Sequence, residues 1–206
     1  FTDYLDKFNS NQRRNIKRER KSILNSDLNI SINIGKEINQ EKMEKMHDLY
    51  ELHCSKWGIW GSKYLSKSFF KGLVSSKNQD NLVLFNASKE GSEETLAMSL
   101  CITSQTKLWG RYWGSQIECD NLHFELCYYS PISWAINNGI KSFDPGAGGS
   151  HKLRRGFQAN SNISLHRWYN KKMDHIIRSW LPKVNELMIQ EINTINKELP
   201  FKAMSN

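Results

Sequence analysis

The sequence has little of what marks the more specialised classes of protein. Only four of its 206 residues are Pro and twelve are Gly, which excludes a collagen-like chain and a Pro-rich disordered one. Hydrophobic residues still make up 38 %, enough to bury a core. No apolar run reaches the roughly 18 residues that a membrane-spanning helix needs. We therefore expect a globular protein without a membrane span.

Cysteine and acidic residues are also scarce. The four cysteines form no C-x-x-C pair and have no histidine at zinc-finger spacing, so we expect neither a metal site nor disulfides. Reduced thiols are typical of the cytoplasm, which is the predicted location. Against 21 acidic residues stand 29 basic ones, a net charge of +8. Such an excess indicates an anionic partner: nucleic acid, an anionic surface or an anionic cofactor.

Residues 1–25 carry half of this excess, with seven basic against three acidic residues. Intermittent apolar positions predict a helix over residues 4–24. Its basic side chains recur at spacings of three and four, which gathers them on adjoining faces. They could bind the phosphates of a nucleic acid or another anion, or could form a solvated face without a ligand. The candidate anion-binding residues are Arg13, Arg14, Lys17 and Arg18.

The periodicity along the rest of the chain predicts an α+β fold with a mixed sheet, in a single domain over residues 1–206. Three strands joined by short connections predict an antiparallel meander. The strand–helix–strand piece over residues 107–143 predicts a parallel crossover. The predicted strands span residues 30–34, 82–87, 95–103, 107–113, 140–143 and 162–168. The predicted helices span residues 36–53, 64–73, 122–138 and 171–199, the last one long.

Two polar clusters follow the carboxyl ends of the two parallel strands, where ligands collect in such sheets. The first contains Arg111 and Tyr112 on a strand, with His123 and Glu125 in the first turn of the next helix. The second is a glycine-rich loop followed by cations. Its candidate substrate-binding residues are Asp144, Gly146, Gly148, Gly149, Ser150, His151, Lys152 and Arg155.

The residue types in these clusters favour acid–base chemistry and anion binding. A helix amino terminus disfavours imidazolium, so either His123 or Glu125 could act as a base; alternatively, they complement the helix end and fill space. Glycines followed by cations can hold phosphate or carboxylate, or can form a structural turn. The spacing does not match a nucleoside triphosphate loop. Arg111 is expected to be partly buried and paired with Glu125 or Asp144, as an ion pair or a substrate contact.

Together these motifs resemble a bacterial family of predicted N-acyltransferases, the FemAB-like branch of the GNAT superfamily, described as peptidoglycan biosynthesis/recognition. The resemblance covers nearly the whole chain. It is carried by Gly110-Arg111-Tyr112-Trp113-Gly114, by Leu122-His123-Phe124-Glu125 with Cys127-Tyr128-Tyr129, by residues 143–157, by Ser164 and His166, by Pro200-Phe201-Lys202, and by the helix motif Arg13-Arg14-x-x-Lys17-Arg18-Glu19-Arg20.

The resemblance implies a GNAT fold and transfer of an acyl or aminoacyl group to an amine, in peptidoglycan precursor metabolism. The substrate would be a small molecule or a cell-wall precursor. Members of the family are almost twice this length and carry two GNAT-like halves. The chain therefore resembles a carboxyl-terminal half, against which an amino-terminal half would pack.

Two departures from related patterns leave the activity and the donor open. The family loop usually has Glu where this chain has Ser150, which favours a non-catalytic module that binds a cell-wall precursor or another anion. Coenzyme-A-dependent GNAT enzymes hold pyrophosphate on a glycine-rich turn, but the corresponding residues here include Glu118 and Asp120, which would repel it. Of the two donor classes, acyl-CoA and aminoacyl-tRNA, the carboxylates therefore disfavour acyl-CoA, and the phosphates of tRNA would suit the basic opening helix.

Overall fold

The structure of the protein, a computed structural model, describes residues 1–61 and 63–202. They form two compact units. The first comprises residues 1–6 and 13–148, and the second comprises residues 7–12 together with the chain from Gly149 onward.

The first unit contains five strands and most of the helices. In chain order its elements are α1 (Thr2–Asp6), α2 (Ser10–Leu24, from Arg13 onward in this unit), β1 (Leu28–Ile34), α3 (Gln40–Ser55), α4 (Lys67–Val74), β2 (Leu82–Lys89), β3 (Thr95–Thr103), β4 (Lys107–Ser115), α5 (Leu122–Phe124), a π-helical segment (Glu125–Tyr129), α6 (Ser130–Asn137) and β5 (Ser142–Asp144).

The five strands form one mixed sheet in the order β1-β2-β3-β4-β5. The first four are antiparallel to their neighbours, whereas β5 runs parallel to β4 after the crossover through α5 and α6. The predictions of a meander and of a parallel strand–helix–strand crossover are therefore confirmed. So is the mixed α+β class, with a long carboxyl-terminal helix.

Helices cover both faces of the sheet. The first six residues of β2 are all buried, as expected for a strand with a packed layer on each side. Leu84 faces a core formed with α3 and α4, and its neighbour Phe85 faces the other core, which includes Leu126 after α5. Gly114 brings the end of β4 against α3, because a Cβ there would lie 2.2 Å from the Leu49 carbonyl oxygen.

The predicted opening helix is interrupted. Instead of one helix over residues 4–24, α1 ends at Asp6 and α2 begins at Ser10. In the second unit, Phe8 forms a β-bridge with Phe201, and the Asn9 amide donates to the Pro200 carbonyl at 3.0 Å. The backbone therefore bonds to a distant segment where the periodicity predicted helical bonds.

The predicted strand over residues 162–168 is wrong. These residues have no regular secondary structure, and Ile163 and Leu165 are each 94 % exposed. Alternating apolar and polar residues predict a half-buried strand, but a strand also needs a neighbour for its backbone groups. Among the described residues, no strand pairs with this segment.

The second unit contains a 3₁₀ turn (Ser150–Arg155) and α7 (Lys171–Lys197). The Asn170 side chain caps α7 by accepting from the amides of Lys172 and Met173. Near the other end, the Asn196 side chain exchanges two hydrogen bonds with the backbone of Ala159, at 2.8 and 2.9 Å. No described helix is both long enough and apolar enough to cross a membrane.

Candidate functional site

β4 and β5 pair only briefly before β4 continues alone. β5 is in register with β4 over three residues, from Lys107 to Trp109, and β4 then runs six residues further to Ser115. Gly110 lies where the pairing ends, and a Cβ there would stand 3.6 Å from the backbone of Pro145. The carboxyl end of β4 therefore has an edge that β5 does not cover.

A β-bulge on β4 determines where Arg111 lies. Leu100 of β3 is opposite Tyr112, whereas the next residue, Cys101, is opposite Gly110, so Arg111 is the extra residue of the bulge. Its side chain is exposed, and no carboxylate of the described residues is within ion-pair distance of it. The prediction that Arg111 is partly buried and paired with Glu125 or Asp144 is therefore wrong.

Tyr112 packs in the core between β4 and the helices α3 and α4. Its ring lies 5.6 Å from that of Tyr50 and 5.5 Å from that of Phe70, both in edge-on contacts. The side chain is half-buried. It therefore packs β4 against the helices, and its contact with a substrate stays a prediction.

Glu125 is buried and bound to α2. Its two carboxylate oxygens accept from Nε and Nη2 of Arg20 at 3.1 and 3.0 Å, and Oε1 also accepts from the Ser130 hydroxyl at 2.8 Å. Only 4 % of Glu125 is exposed. The residue begins the π-helical segment, which ends at Tyr129, and α6 follows directly with Ser130 and Pro131. Its role as a base stays a prediction, but its oxygens already serve a structural ion pair.

Two further contacts join α2 to the same helical stretch. The Tyr129 hydroxyl donates to the Glu19 carboxylate, and the Arg20 guanidinium lies 4.5 Å from the centre of the Phe1 ring. Glu19 and Arg20 of α2 thus both bind side chains of this helical stretch. Of the predicted anion-binding residues, Arg13 binds Asp6 at 3.3 Å. The other three, Arg14, Lys17 and Arg18, have exposed side chains.

His123 lies beside a cavity of about 370 Å³ at the carboxyl end of β4. Its ring makes edge-on contacts with Trp113 and Tyr128, at 5.3 and 5.4 Å between ring centres. The cavity is formed by the end of α3, the end of β4, the connection to α5 and α5 itself. Its lining residues are His53, Lys56, Trp57, Trp113, Ser115, Ile117, Glu118, Cys119, Asp120, Leu122 and His123.

His53 is a cavity residue that the sequence did not indicate. It lies in the last turn of α3, half-buried, and both burial and the charge of Lys56 lower the pKa of its imidazole. The predicted helix over residues 36–53 ended at this residue, but the pattern there showed only apolar spacing. The nearby Trp57-Gly58-Ile59-Trp60-Gly61 run was the available signal, since tryptophan is enriched at interfaces.

The glycine-rich loop is divided between the two units. In the first unit, the Asp144 side chain accepts from the Gly146 amide at 2.8 Å and thereby closes a turn at the end of β5. Gly146 and Gly148 both have positive φ. In their unit these residues lie at the carboxyl end of β5, as predicted; their contact with a substrate stays a prediction.

The remaining loop residues belong to the second unit, from Gly149 and Ser150 through His151, Lys152 and Arg155. Arg155 is buried, and its Nη1 donates to the His151 carbonyl at 2.8 Å. Burial, together with the charges of Arg155 and Lys152, lowers the pKa of His151. This cluster contains the basic groups that the sequence predicts for anion binding, and that role stays a prediction.

The solved structures to which the chain is similar include several acetyltransferases. A possible acetyltransferase from Clostridium difficile 630 has 8 % identity and a TM-score of 0.48 over 70 % of this chain and 100 % of that one. An aminoglycoside acetyltransferase from an uncultured soil metagenomic sample, in complex with sisomicin, has 10 % identity and a TM-score of 0.46 over 70 % and 96 %. The aminoglycoside N-acetyltransferase AAC(6')-Iy, in complex with CoA, has 12 % identity and a TM-score of 0.45 over 69 % and 95 %.

No curated protein sequence matches the chain significantly. The model of the FemAB-like family, described as peptidoglycan biosynthesis/recognition, matches residues 1–203. This match spans both units and every motif on which the resemblance rested. The chain therefore belongs to the FemAB-like family.

Proposed function

We propose that the chain is an N-acyltransferase that transfers an acyl or aminoacyl group to an amine of a peptidoglycan precursor or another small molecule. Membership of the FemAB-like family supports this class of reaction. The observation that carries the location is the cavity at the end of β4, because it places His53 and His123 beside a strand edge that β5 leaves uncovered. Ligands of open sheets with parallel strands bind at such carboxyl ends.

His123 is the residue to which we assign proton transfer. An acceptor ammonium must lose a proton before its nitrogen can attack the carbonyl carbon of the donor, and an imidazole at the cavity can accept that proton. The new C–N bond then forms as the thiol or ribose hydroxyl of the donor leaves. Glu125 is the weaker candidate, since its oxygens already accept from Arg20 and Ser130.

The oxyanion that forms during the attack needs hydrogen-bond donors. Among the residues that the structure describes, no strand pairs with β4 beyond Trp109 on the β5 side, so backbone amides along that edge can donate to the oxygen. The Gly146 amide of the loop already donates to Asp144. We therefore assign oxyanion stabilisation to the β4 edge, with the glycine loop of the first unit closing one side.

The identity of the donor is the finer part of the proposal. The exposed side chains of Lys17 and Arg18 on α2 would suit the phosphates of an aminoacyl-tRNA. Acyl-CoA is the other donor class. A packing partner that resembles an amino-terminal GNAT-like half, and a location in the cytoplasm, stay predictions.

A second candidate function is a binding module without catalysis. Two observations favour this binding module: Glu125 is engaged in an ion pair with Arg20, and Ser150 stands where the family loop usually has Glu. Such a module would bind a precursor at the same cavity and release it unchanged.

An assay of transfer with a matched pair of variants tests the proposal. The chain is incubated with an amine acceptor and either acetyl-CoA or an aminoacyl-tRNA, and the acylated product is measured by mass spectrometry. His123→Gln should lower turnover about a hundredfold or more, whereas His175→Gln, on the exposed surface of α7, should not. Equal turnover in the two variants would contradict the role of His123, and binding without any product would favour the binding module.

A further inference from the structure

The connection between β4 and α5 contributes two carboxylates, Glu118 and Asp120, to the wall of the cavity. We propose that this cavity binds the acceptor in its protonated form, an ammonium group on an apolar or ring-bearing body, and that it is not a phosphate site for the donor. The inference rests on the proposed transferase function. It assigns a ligand class to side chains that the reaction itself does not require.

The charges at the cavity favour a cation. The carboxylates of Glu118 and Asp120 and the ammonium of Lys56 all line the cavity, so its negative charges exceed its positive ones by one. Burial and the charge of Lys56 lower the pKa of His53, which keeps its imidazole neutral at neutral pH. A pyrophosphate would bring at least two further negative charges to these carboxylates, whereas an ammonium would neutralise one.

Three backbone amides around the cavity already donate hydrogen bonds within the chain. The Gln116 amide donates to the Leu96 carbonyl at 2.9 Å, the Ile117 amide to the Ser115 hydroxyl at 3.2 Å, and the Leu122 amide to the Cys119 carbonyl at 3.2 Å. Phosphate sites of proteins depend on such amides pointing at the ligand. These three amides therefore do not point at a ligand in the cavity, and the case against a phosphate rests on the two carboxylates beside them.

Further hydrogen bonds fix the backbone of the connection that carries the two carboxylates. Asn121 is the one non-glycine residue of the described chain with positive φ, at +67°, and its side-chain amide donates to the Ser22 hydroxyl at 3.0 Å. The Ser115 hydroxyl also donates to the Ile117 carbonyl at 2.7 Å. Groups fixed in this way bind a ligand at a smaller entropic cost than groups on a mobile loop.

Aromatic side chains provide the second feature of the proposed ligand class. Trp113 and Trp57 both line the cavity, and Trp57 is 64 % exposed. Indole faces attract cations and also contact flat apolar bodies. Ile117 and Leu122 supply an apolar surface beside them. A volume of about 370 Å³ suits one small molecule, or one end of a larger one.

The test compares a cationic and a neutral probe with the same six-carbon chain, and adds an inorganic anion. Hexylammonium, neutral hexanol and inorganic pyrophosphate are titrated separately into the ¹⁵N-labelled chain, and the indole signals of Trp57 and Trp113 are followed by NMR. Hexylammonium should shift both signals and bind more tightly than hexanol, while pyrophosphate should shift neither. Tighter binding of pyrophosphate than of hexylammonium at these signals would overturn the proposal.

A double variant with a matched control isolates the carboxylates. Glu118→Gln with Asp120→Asn should weaken hexylammonium binding at least about tenfold, the loss expected for a charged hydrogen bond. Both side chains are exposed, so the fold should be unaffected. The control, Glu90→Gln with Glu93→Gln, changes the net charge equally in the exposed β2–β3 connection and should bind as the unmodified chain does.

The outcomes separate this inference from the proposed function. If the double variant weakens amine binding but no donor yields product with the unmodified chain, the cavity assignment stands and the transferase fails. If product forms and the double variant leaves the KM for the amine unchanged, the transferase stands and the cavity assignment fails. A raised KM for the amine, with the KM for the donor unchanged, supports both.

Discussion

Arg20 and Glu125 form a partly buried, bidentate ion pair, although 105 positions separate them in the chain. The pair joins the basic opening helix α2 to the π-helical segment of the crossover. Both residues belong to the motifs on which the family resemblance rested. The charged motif of α2 and the carboxylate motif after α5 therefore meet in one structural contact.

Removal of Arg20 should destabilise the protein. Arg20→Ala leaves the Glu125 carboxylate buried with the Ser130 hydroxyl alone, and we expect the free energy of unfolding to fall by about 2–4 kcal/mol. Urea denaturation measures the change. The control is Arg178→Ala, which breaks an exposed ion pair with Asp174 and should cost no more than about 0.5 kcal/mol. Equal losses in the two variants would show that the Arg20–Glu125 pair contributes no more to the free energy of unfolding than an exposed ion pair does.

A methyl group at Gly114 should push α3 away from the end of β4. The added Cβ would lie 2.2 Å from the carbonyl oxygen and 2.3 Å from the carbonyl carbon of Leu49. Because both are backbone atoms, either α3 or β4 must move. We expect Gly114→Ala to lower the free energy of unfolding by about 1–3 kcal/mol, as overpacked variants do. Gly72→Ala in α4, where a Cβ meets nothing within 4 Å, should instead raise it by up to about 1 kcal/mol. A neutral result at Gly114 would contradict the close approach of α3 and β4.

Acidification should destabilise the fold in part through His151. Its pKa is lowered in the folded state by burial and by the charges of Arg155 and Lys152, so the unfolded chain takes up the proton first. This contribution to stability is complete above the unfolded pKa, about 6.5, and is lost as the pH falls below that value towards the folded pKa. Unfolding by urea at pH 7.5 and 5.5 measures the loss. His151→Asn should reduce it, and His175→Asn, at an exposed position on α7, should leave it as in the unmodified chain.

The basic face of α2 should determine the affinity for tRNA, if tRNA carries the donor. Lys17→Ala with Arg18→Ala removes two exposed cations, and the slope of log K against log salt concentration should fall by about one for each lost phosphate contact. Binding is measured at several salt concentrations by fluorescence anisotropy. Lys171→Ala with Lys172→Ala at the start of α7 serves as the control, and an equal decrease there would indicate binding without a preferred face.

The strands were predictable because local periodicity carries their signal. β3 lies over residues 95–103, as the alternating and buried positions predicted, and the short connections set its neighbours antiparallel. The segment over residues 162–168 shows the limit of that signal. It has the same alternation, but a pattern cannot supply the neighbouring strand that its backbone needs.

The candidate site was predicted only in part. His123, at the start of α5, was singled out because a helix follows a strand there, and it does line the cavity. His53 comes from an element 70 residues earlier, so no local pattern could place it beside His123. Arg111 was expected to pair with Glu125 or Asp144, but one extra residue in β4 leaves it on a bulge, and Arg20 pairs with Glu125 instead.

The sequence by itself determined the mixed class of the fold, the antiparallel meander with its parallel crossover, and the family, because these depend on periodicity and on motifs that are local in the chain. The tertiary structure decided which charges meet. From the sequence alone, the Glu125 carboxylate could serve as a base, a ligand or half of an ion pair, and only the packing of α2 on the crossover helix brought Arg20 to it. Since burial removes the water that would otherwise solvate it, that pairing determines what Glu125 can do.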